Sequence, residues 1–409
     1  MAHKEAYVEY HPLGVLGVIA PWNYPFHNVF NHIISGIFAG NAVISKASEY
    51  TSWSSRYISA ITKEALRCCG HNPDLCQFVT GFGEAGAALV TSPGVDKIIF
   101  TGSPEVGKKI MAGAAPYLKP VILELGGKDP MVICEDANVS SVLPIAMRGV
   151  YQNCGQNCIG VERIFAYEGI YEEFCEKALA IVKQLRQGHA LGEASVDCGA
   201  MVMPAQLDLV KSLVDDAVAS GAKLLIGGKR NATLKGGLFF EPTILADVTP
   251  DMRIAQEEVF GPVMCILKVP DDSDEKLLEM ANASAYGLGS SVFSGNQARA
   301  IRIGYGLRCG MTTVNDFGVN YLVQSLPFGG VKHSGFDRFS GPEGLRACCL
   351  QKSVVVDRIS FIKTSIPGIM QYPVGKDCAS FAQAMIRVLY GPGIVDRVKG
   401  VFGLMTARR

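Results

Sequence analysis

The sequence has no surplus charge of either sign. Lys plus Arg and Asp plus Glu number 38 each in 409 residues, so no bulk field draws nucleic acid or a strongly charged partner. It also has no CxxC pair and no histidine cluster beside its cysteines, which removes the usual spacing of a zinc site, and no metal is expected. MAHKEAYVEYHP at the N-terminus has no apolar core of the signal-peptide kind, and no uncharged apolar run is long enough to cross a bilayer. Internal repeats and low-complexity linkers are missing too, which argues against a solenoid or an array. What remains is a globular composition, 48% hydrophobic and 19% charged, enough for a large core and two or three domains. The 13 cysteines are scattered from Cys68 to Cys378, an odd set that fits reduced thiols in a cytosol-facing compartment.

Through the first third, short β-branched runs alternate with helix-like segments. Strands are expected at Leu16 to Pro21, Asn41 to Lys46, Cys76 to Gly81, Asp96 to Gly102 and Val121 to Gly127, with helical periodicity near 27–39, 54–68, 84–91 and 104–114. Nearly continuous apolar strands separated by helices predict a parallel sheet covered on both faces, so the first domain is expected to be doubly wound α/β. A second α/β unit is expected from about Asp129 to Gly330. From Phe361 the character changes. Lys363, Lys376, Arg387, Arg397, Lys399, Arg408 and Arg409 stand against only Asp377 and Asp396, among apolar stretches such as FAQAMIRVLY and IVDRVKGVFGLM. Such a tail suits a membrane surface or an extra helix docked on the body.

In open α/β sheets, ligands bind beyond the carboxyl ends of the strands. That is where PWNYP, KASE, GFGEAG, TGSPEVG and ELGGK fall. TGSPEVG ends a strand and opens a helix, the geometry in which backbone N–H groups hold a phosphate. In ELGGK, Glu124 closes an apolar strand, where burial raises a carboxyl toward the range of a general base; an ion-paired or capping glutamate is the ordinary alternative. Lys46 and Glu49 read either as a loop ion pair or as partners for ribose hydroxyls. Asn23 reads either as a fixed amide donor or as a turn residue. In YQNCGQNCIG, Cys154 and Cys158 would share a face on a helix, while a break at Gly155 would let them diverge. A nucleophilic thiolate needs a lowered pKa, some exposure and an oxyanion donor, and spacing alone does not choose between the two.

Taken in order, PWNYP, ISKASE, FTGSPEVG, LELGGKDP, GQNC, EEVFGPV and PFGGVKHSG resemble the NAD(P)-dependent aldehyde dehydrogenase superfamily over residues 11–357. NYLVQSLPFGGVKHSGFDRF with the long tail is similar to its membrane-associated plant and fungal branch. The resemblance implies that Cys158 is the nucleophile, Glu124 the base and Asn23 the oxyanion donor, with no chemical role for Cys154. It implies cofactor contacts from Trp22, from Lys46 and Glu49 at the adenosine ribose, from Gly102 and Ser103 at the pyrophosphate, and from Glu258 and Phe260 at the nicotinamide ribose and ring. The implied reaction oxidises an aldehyde to a carboxylic acid through a thiohemiacetal and a thioester on Cys158, which water activated by Glu124 hydrolyses. A carboxylate at position 49 favours NAD over NADP by repelling a 2′-phosphate. The base at Glu124 separates this chain from relatives that pass the acyl group to coenzyme A.

By the same resemblance, residues 1–14 would be the remnant of an oligomerisation hairpin, 15–127 the NAD-binding domain, 128–335 the catalytic domain, 336–360 a return to the cofactor domain with an oligomerisation strand, and 361–409 the basic tail. Pairing into a homodimer would use residues Tyr7 to Val15 and Ser353 to Asp357. Family members carry a long segment ahead of HPLGVLG, so an N-terminally shortened chain is expected. With it comes a rival reading, a catalytically weak fragment that partners full-length subunits.

Overall fold

The computed structural model describes residues 3–192 and 195–406. Strand β1 (Lys4–Pro12) is followed by β2 (Val15–Ile19), β3 (Ala42–Lys46), β4 (Cys76–Val79), β5 (Lys97–Gly102) and β6 (Val121–Leu125). Then come β7 (Asp129–Ile133), β8 (Val161–Tyr167), β9 (Lys223–Ile226), β10 (Thr243–Ala246), β11 (Val263–Val269), β12 (Ser291–Phe293) and β13 (Thr313–Val314). The last two are β14 (Gly335–Phe336) and β15 (Cys349–Asp357).

Two sheets carry the α/β body. The first runs β14-β6-β5-β2-β3-β4, with β2 through β6 mutually parallel and β14 antiparallel on the edge. Its helices are Pro25–Phe38, Ser52–Cys68, Gly83–Thr91 and Pro104–Ala114, as the doubly wound expectation requires. From β2 the chain winds outward through β3 and β4, then returns to the other side of β2 for β5 and β6. The strand order therefore reverses between β2 and β5, and the carboxyl ends there open a crevice.

The second sheet runs β13-β12-β7-β8-β11-β10-β9, parallel except for β9 against β10. Every residue of β7, β8 and β10 is buried. Helices such as Val139–Tyr151, Glu168–Val182 and Pro204–Ala219 turn their apolar faces inward, and these residues form one continuous core with the sheet.

Tyr10 to Gln351 form one compact unit, and residues 1–9 with 352–409 form another. In the latter, β1 pairs with β15 in a two-stranded sheet. The first strand thus finds its partner at the far end of the sequence and not across a local hairpin, because the turn from Leu13 sends the chain directly into β2. The tail holds two helices, Cys378–Tyr390 and Ile394–Thr406, where Gly400 and Gly403 bring the second against Ala384 of the first. Among the described residues, no helix is long and apolar enough to cross a membrane.

Candidate active site

The segment 151–160 settles the fate of its two cysteines. Helix Val139–Tyr151 ends and the chain turns through three successive residues of positive φ, Asn153 at 54°, Cys154 at 59° and Gly155 at 71°. Asparagine tolerates this region, and here its Nδ2 donates to the Asn23 carbonyl and the Gln156 carbonyl, both at 3.1 Å. Glycine is required at 155, where a Cβ would lie 2.0 Å from the Gly261 carbonyl oxygen. The reversal divides the pair. Cys154 is 2% exposed in the core with its sulfur 3.6 Å from the Cys198 thiol, and Cys158 emerges into a cleft, partly exposed.

Two cavities meet at Cys158. One, of about 360 Å³, lies at the carboxyl ends of β2 and β5 and includes Trp22, Asn23, Gly102, Ser103, Glu258 and Phe260 in its wall. The other, of about 540 Å³, has a mostly apolar wall that includes Tyr24, Phe317, Tyr321 and Phe339, with Arg148 and Asp316 also lining it. Cys158 and Glu124 line both. A molecule in either cavity therefore has the same thiol and the same carboxyl at its inner end.

Glu124 reaches this junction because it is the fourth residue of β6, in register with Thr101 of β5 and Gly335 of β14. Its Oε1 is buried without a hydrogen-bond partner. Burial pushes its carboxyl from 4.5 up to about 7, against the downward pull of the nearby Cys158 and Thr101 side chains. That is the raised value expected of a general base, and no ion pair to this carboxylate is present among the described residues.

The Cys158 thiol departs from expectation. Burial, then the charges of Glu124, Glu258 and Asp129, push its pKa well above that of an ordinary thiol. Burial is the largest cause and the three carboxyl groups add to it, so the thiol rests protonated. His27 and His32 supply no alternative base: burial lowers them to about 4 and about 3.

Asn23 is held as a donor. Its Oδ1 accepts from Asn28 Nδ2 at 3.0 Å, which directs its own Nδ2 toward the Gln156 carbonyl at 3.2 Å, two residues from Cys158. Glu258 lies over the Gly126–Gly127 backbone and accepts from the Gly127 N–H at 3.0 Å. Burial and the neighbouring Glu162 raise its carboxyl to about 8. Phe260, at a φ of 50°, meets Trp22 edge to face at 5.7 Å.

Lys46 and Glu49 form an ion pair at 3.3 Å, with the lysine buried at the end of β3. They stand at the carboxyl edge of the same sheet but outside the wall of the 360 Å³ cavity. Ser103 caps the helix Pro104–Ala114, accepting from the Val106 N–H at 3.4 Å, while Gly102 forms the last turn of β5 into that helix. The residues fit an elongated dinucleotide. A helix N-terminus suits its phosphates, the Glu258 carboxylate suits ribose hydroxyls, and the Trp22 and Phe260 rings suit a flat heterocycle.

Two functional features are invisible to motif reading. The second cavity draws on segments 24–28, 144–159 and 316–339, which meet only in the fold; the aromatics of the last segment are its one local signal. Buried Glu162 and Lys128 pair at 2.6 Å beside the Glu258 loop, and nothing near either residue announces the other.

The aldehyde dehydrogenase family profile matches residues 1–354. An aldehyde dehydrogenase-like protein of Schizosaccharomyces pombe is 41% identical over 397 residues, covering 96% of this chain and 75% of that protein. A second aldehyde dehydrogenase-like protein, from Saccharomyces cerevisiae, is 38% identical over 98% of this chain, which spans 64% of its length. Among solved structures, Mycobacterium tuberculosis aldehyde dehydrogenase complexed with NAD+ superposes with a TM-score of 0.82 at 33% identity, over 87% of this chain and 72% of that one.

Proposed function

The chain belongs to the aldehyde dehydrogenase family, and NAD-dependent aldehyde oxidation is the chemistry that comes with membership; we propose that Cys158, Glu124 and Asn23 carry it out. The observation that supports this most is the junction of two cavities at one thiol and one carboxyl. Gly102, Glu258 and Phe260 would hold the cofactor in the first cavity, and Lys46 and Glu49 would meet its adenosine ribose. The aldehyde enters from the aromatic side, whose lining favours an apolar substrate.

As its thiol proton passes to solvent in the cleft, Cys158 Sγ adds to the aldehyde carbonyl, and the Asn23 amide and the Cys158 backbone N–H stabilise the oxyanion that forms. NAD+ held by Gly102, Ser103, Glu258 and Phe260 would supply the hydride acceptor that oxidation of the Cys158 thiohemiacetal to a thioester requires. Glu124 then takes a proton from water, which attacks the thioester carbonyl and releases the carboxylic acid and the thiol. The test is NADH formation by the purified chain with NAD+ and hexanal, beside Cys158→Ala. Equal rates in both would remove Cys158 from the mechanism, and two folded but inactive proteins would favour the weak-fragment reading.

The tail supports a second role on an anionic lipid surface. On the helix Ile394–Thr406, the exposed side chains of Ile394, Val395, Val398, Val401, Phe402 and Met405 share one stripe. At 100° per residue, Arg397 and Lys399 fall on either side of that stripe, which is the placement of cations beside the apolar face of an interfacial helix. The exposed pair of β1 and β15 is a further candidate for joining a second copy, since two strands alone are marginally stable.

A further inference from the structure

We propose that Glu162 is a positioning residue that sets cofactor affinity by holding the Glu258–Phe260 loop against the strand end that carries Glu124. This rests on the assignment of Glu258 and Phe260 to the nicotinamide end of the cofactor.

Strand β8 carries two adjacent charged residues in its interior. Its sequence VERIFAY places Glu162 and Arg163 inside a strand whose every residue is buried. Arg163 satisfies backbone carbonyls of Lys128 and Ala281, each at 3.0 Å, and so has a packing role. Glu162 has a different set of partners. Its Oε2 accepts from Lys128 Nζ at 2.6 Å and from the Val259 N–H at 3.0 Å, and its Oε1 accepts from the Phe260 N–H at 3.0 Å. A buried carboxylate therefore grips two successive amides of one loop and the lysine that closes ELGGK.

The grip matters because the loop is not in a relaxed conformation. Phe260 has a φ of 50°, in the left-handed region that a bulky residue seldom occupies, and such a residue persists only where its surroundings over-determine it. The fixing contacts are the hydrogen bonds that the Val259 and Phe260 N–H groups donate to Glu162 and the one from Gln206 Nε2 to the Val259 carbonyl at 2.7 Å. They turn the Phe260 ring onto Trp22 and leave the Glu258 carboxylate over Gly126 and Gly127, where any side chain at 126 would collide with it. Pre-organising this loop removes an ordering cost that the cofactor would otherwise bear on binding.

The test is Glu162→Gln. A glutamine offers one acceptor oxygen where the carboxylate offers two, so one loop amide loses its partner. The KM and the Kd for NAD+, the latter read from quenching of Trp22 emission, are expected to rise about tenfold. At saturating NAD+, kcat and the aldehyde KM should stay within about threefold. A merely structural residue would lower kcat and the unfolding midpoint without selecting the NAD+ constants. If Glu162→Gln leaves buried Lys128 unpaired and the chain unfolds, the double change Glu162→Gln with Lys128→Met removes the stranded cation and carries the same expectation. Unchanged NAD+ affinity in a folded variant, or a parallel loss of every constant, overturns the proposal. A wild-type chain that forms no NADH would instead fail the functional reading on which it rests.

Discussion

Substitution of Glu124 by glutamine should make the protein more stable and less active, and the stability gain should depend on pH. In the fold this carboxyl titrates near 7 instead of 4.5, chiefly because it is buried. The difference is worth about 3 kcal/mol in favour of the protonated form in the folded state. Between the two values the unfolded chain has released a proton that the folded chain still holds. The group's stabilisation is therefore complete below the unfolded pKa, is lost as pH rises through about 7, and stays lost above it. A glutamine has no charge to desolvate, so at about pH 8 Glu124→Gln should exceed wild type by up to about 3 kcal/mol, with the gap closing toward about pH 5. Urea unfolding midpoints across this range measure it. A gap that does not change with pH, or a variant less stable than wild type at the alkaline end, refutes the reasoning. The same ionisation governs turnover: the charged fraction rises about tenfold from pH 6 to pH 8, and steady-state rate should follow it when thioester hydrolysis limits.

Other substitutions probe the walls of the site. Gly155→Ala sets a methyl 2.0 Å from the Gly261 carbonyl at a φ of 71°, and should cost about 3 kcal/mol in chemical unfolding and most of the activity. Cys154→Ser, in the core beside Cys198, should cost about 1 kcal/mol and keep activity within about twofold; a loss equal to that of Cys158→Ala would contradict the division between the two thiols. Glu49→Ala should raise kcat/KM for NADP relative to NAD by about tenfold, since a negative charge no longer faces the 2′-phosphate. Deleting residues 361–409 should abolish co-sedimentation with anionic liposomes while leaving NADH formation in solution; binding that survives the deletion would take the lipid role away from the tail.

The cofactor sheet was legible because β2 through β6 are nearly continuous apolar runs, each closed by an unusual motif, and the observed strands lie within a few residues of the expected ones. The second sheet was less so. β8 escapes a reading of apolar runs because Glu162 and Arg163 interrupt it, and what makes their burial tolerable is Lys128, 34 positions away. The divergence of Cys154 and Cys158 was visible as one of two outcomes at Gly155. Choosing it needed the approach of Gly261 and the positive φ of Asn153 and Cys154, which depend on a loop about a hundred residues downstream. Glu124 could be read as a candidate base from its place at a strand end. The protonated state of its neighbour could not, because it follows from burial, reinforced by three carboxyl groups, that only the fold brings about.

In the proposed mechanism one cysteine carries the acyl group and one glutamate releases it. Glu124→Gln removes the base and the charge that, after burial, most raises the Cys158 thiol, so acylation should proceed where hydrolysis stalls. Incubating that variant with NAD+ and hexanal, then digesting it for mass spectrometry, should yield about one NADH per chain and a hexanoyl group on the peptide bearing Cys158. Continuous turnover without an adduct, or an acyl group found on a different cysteine, would contradict it.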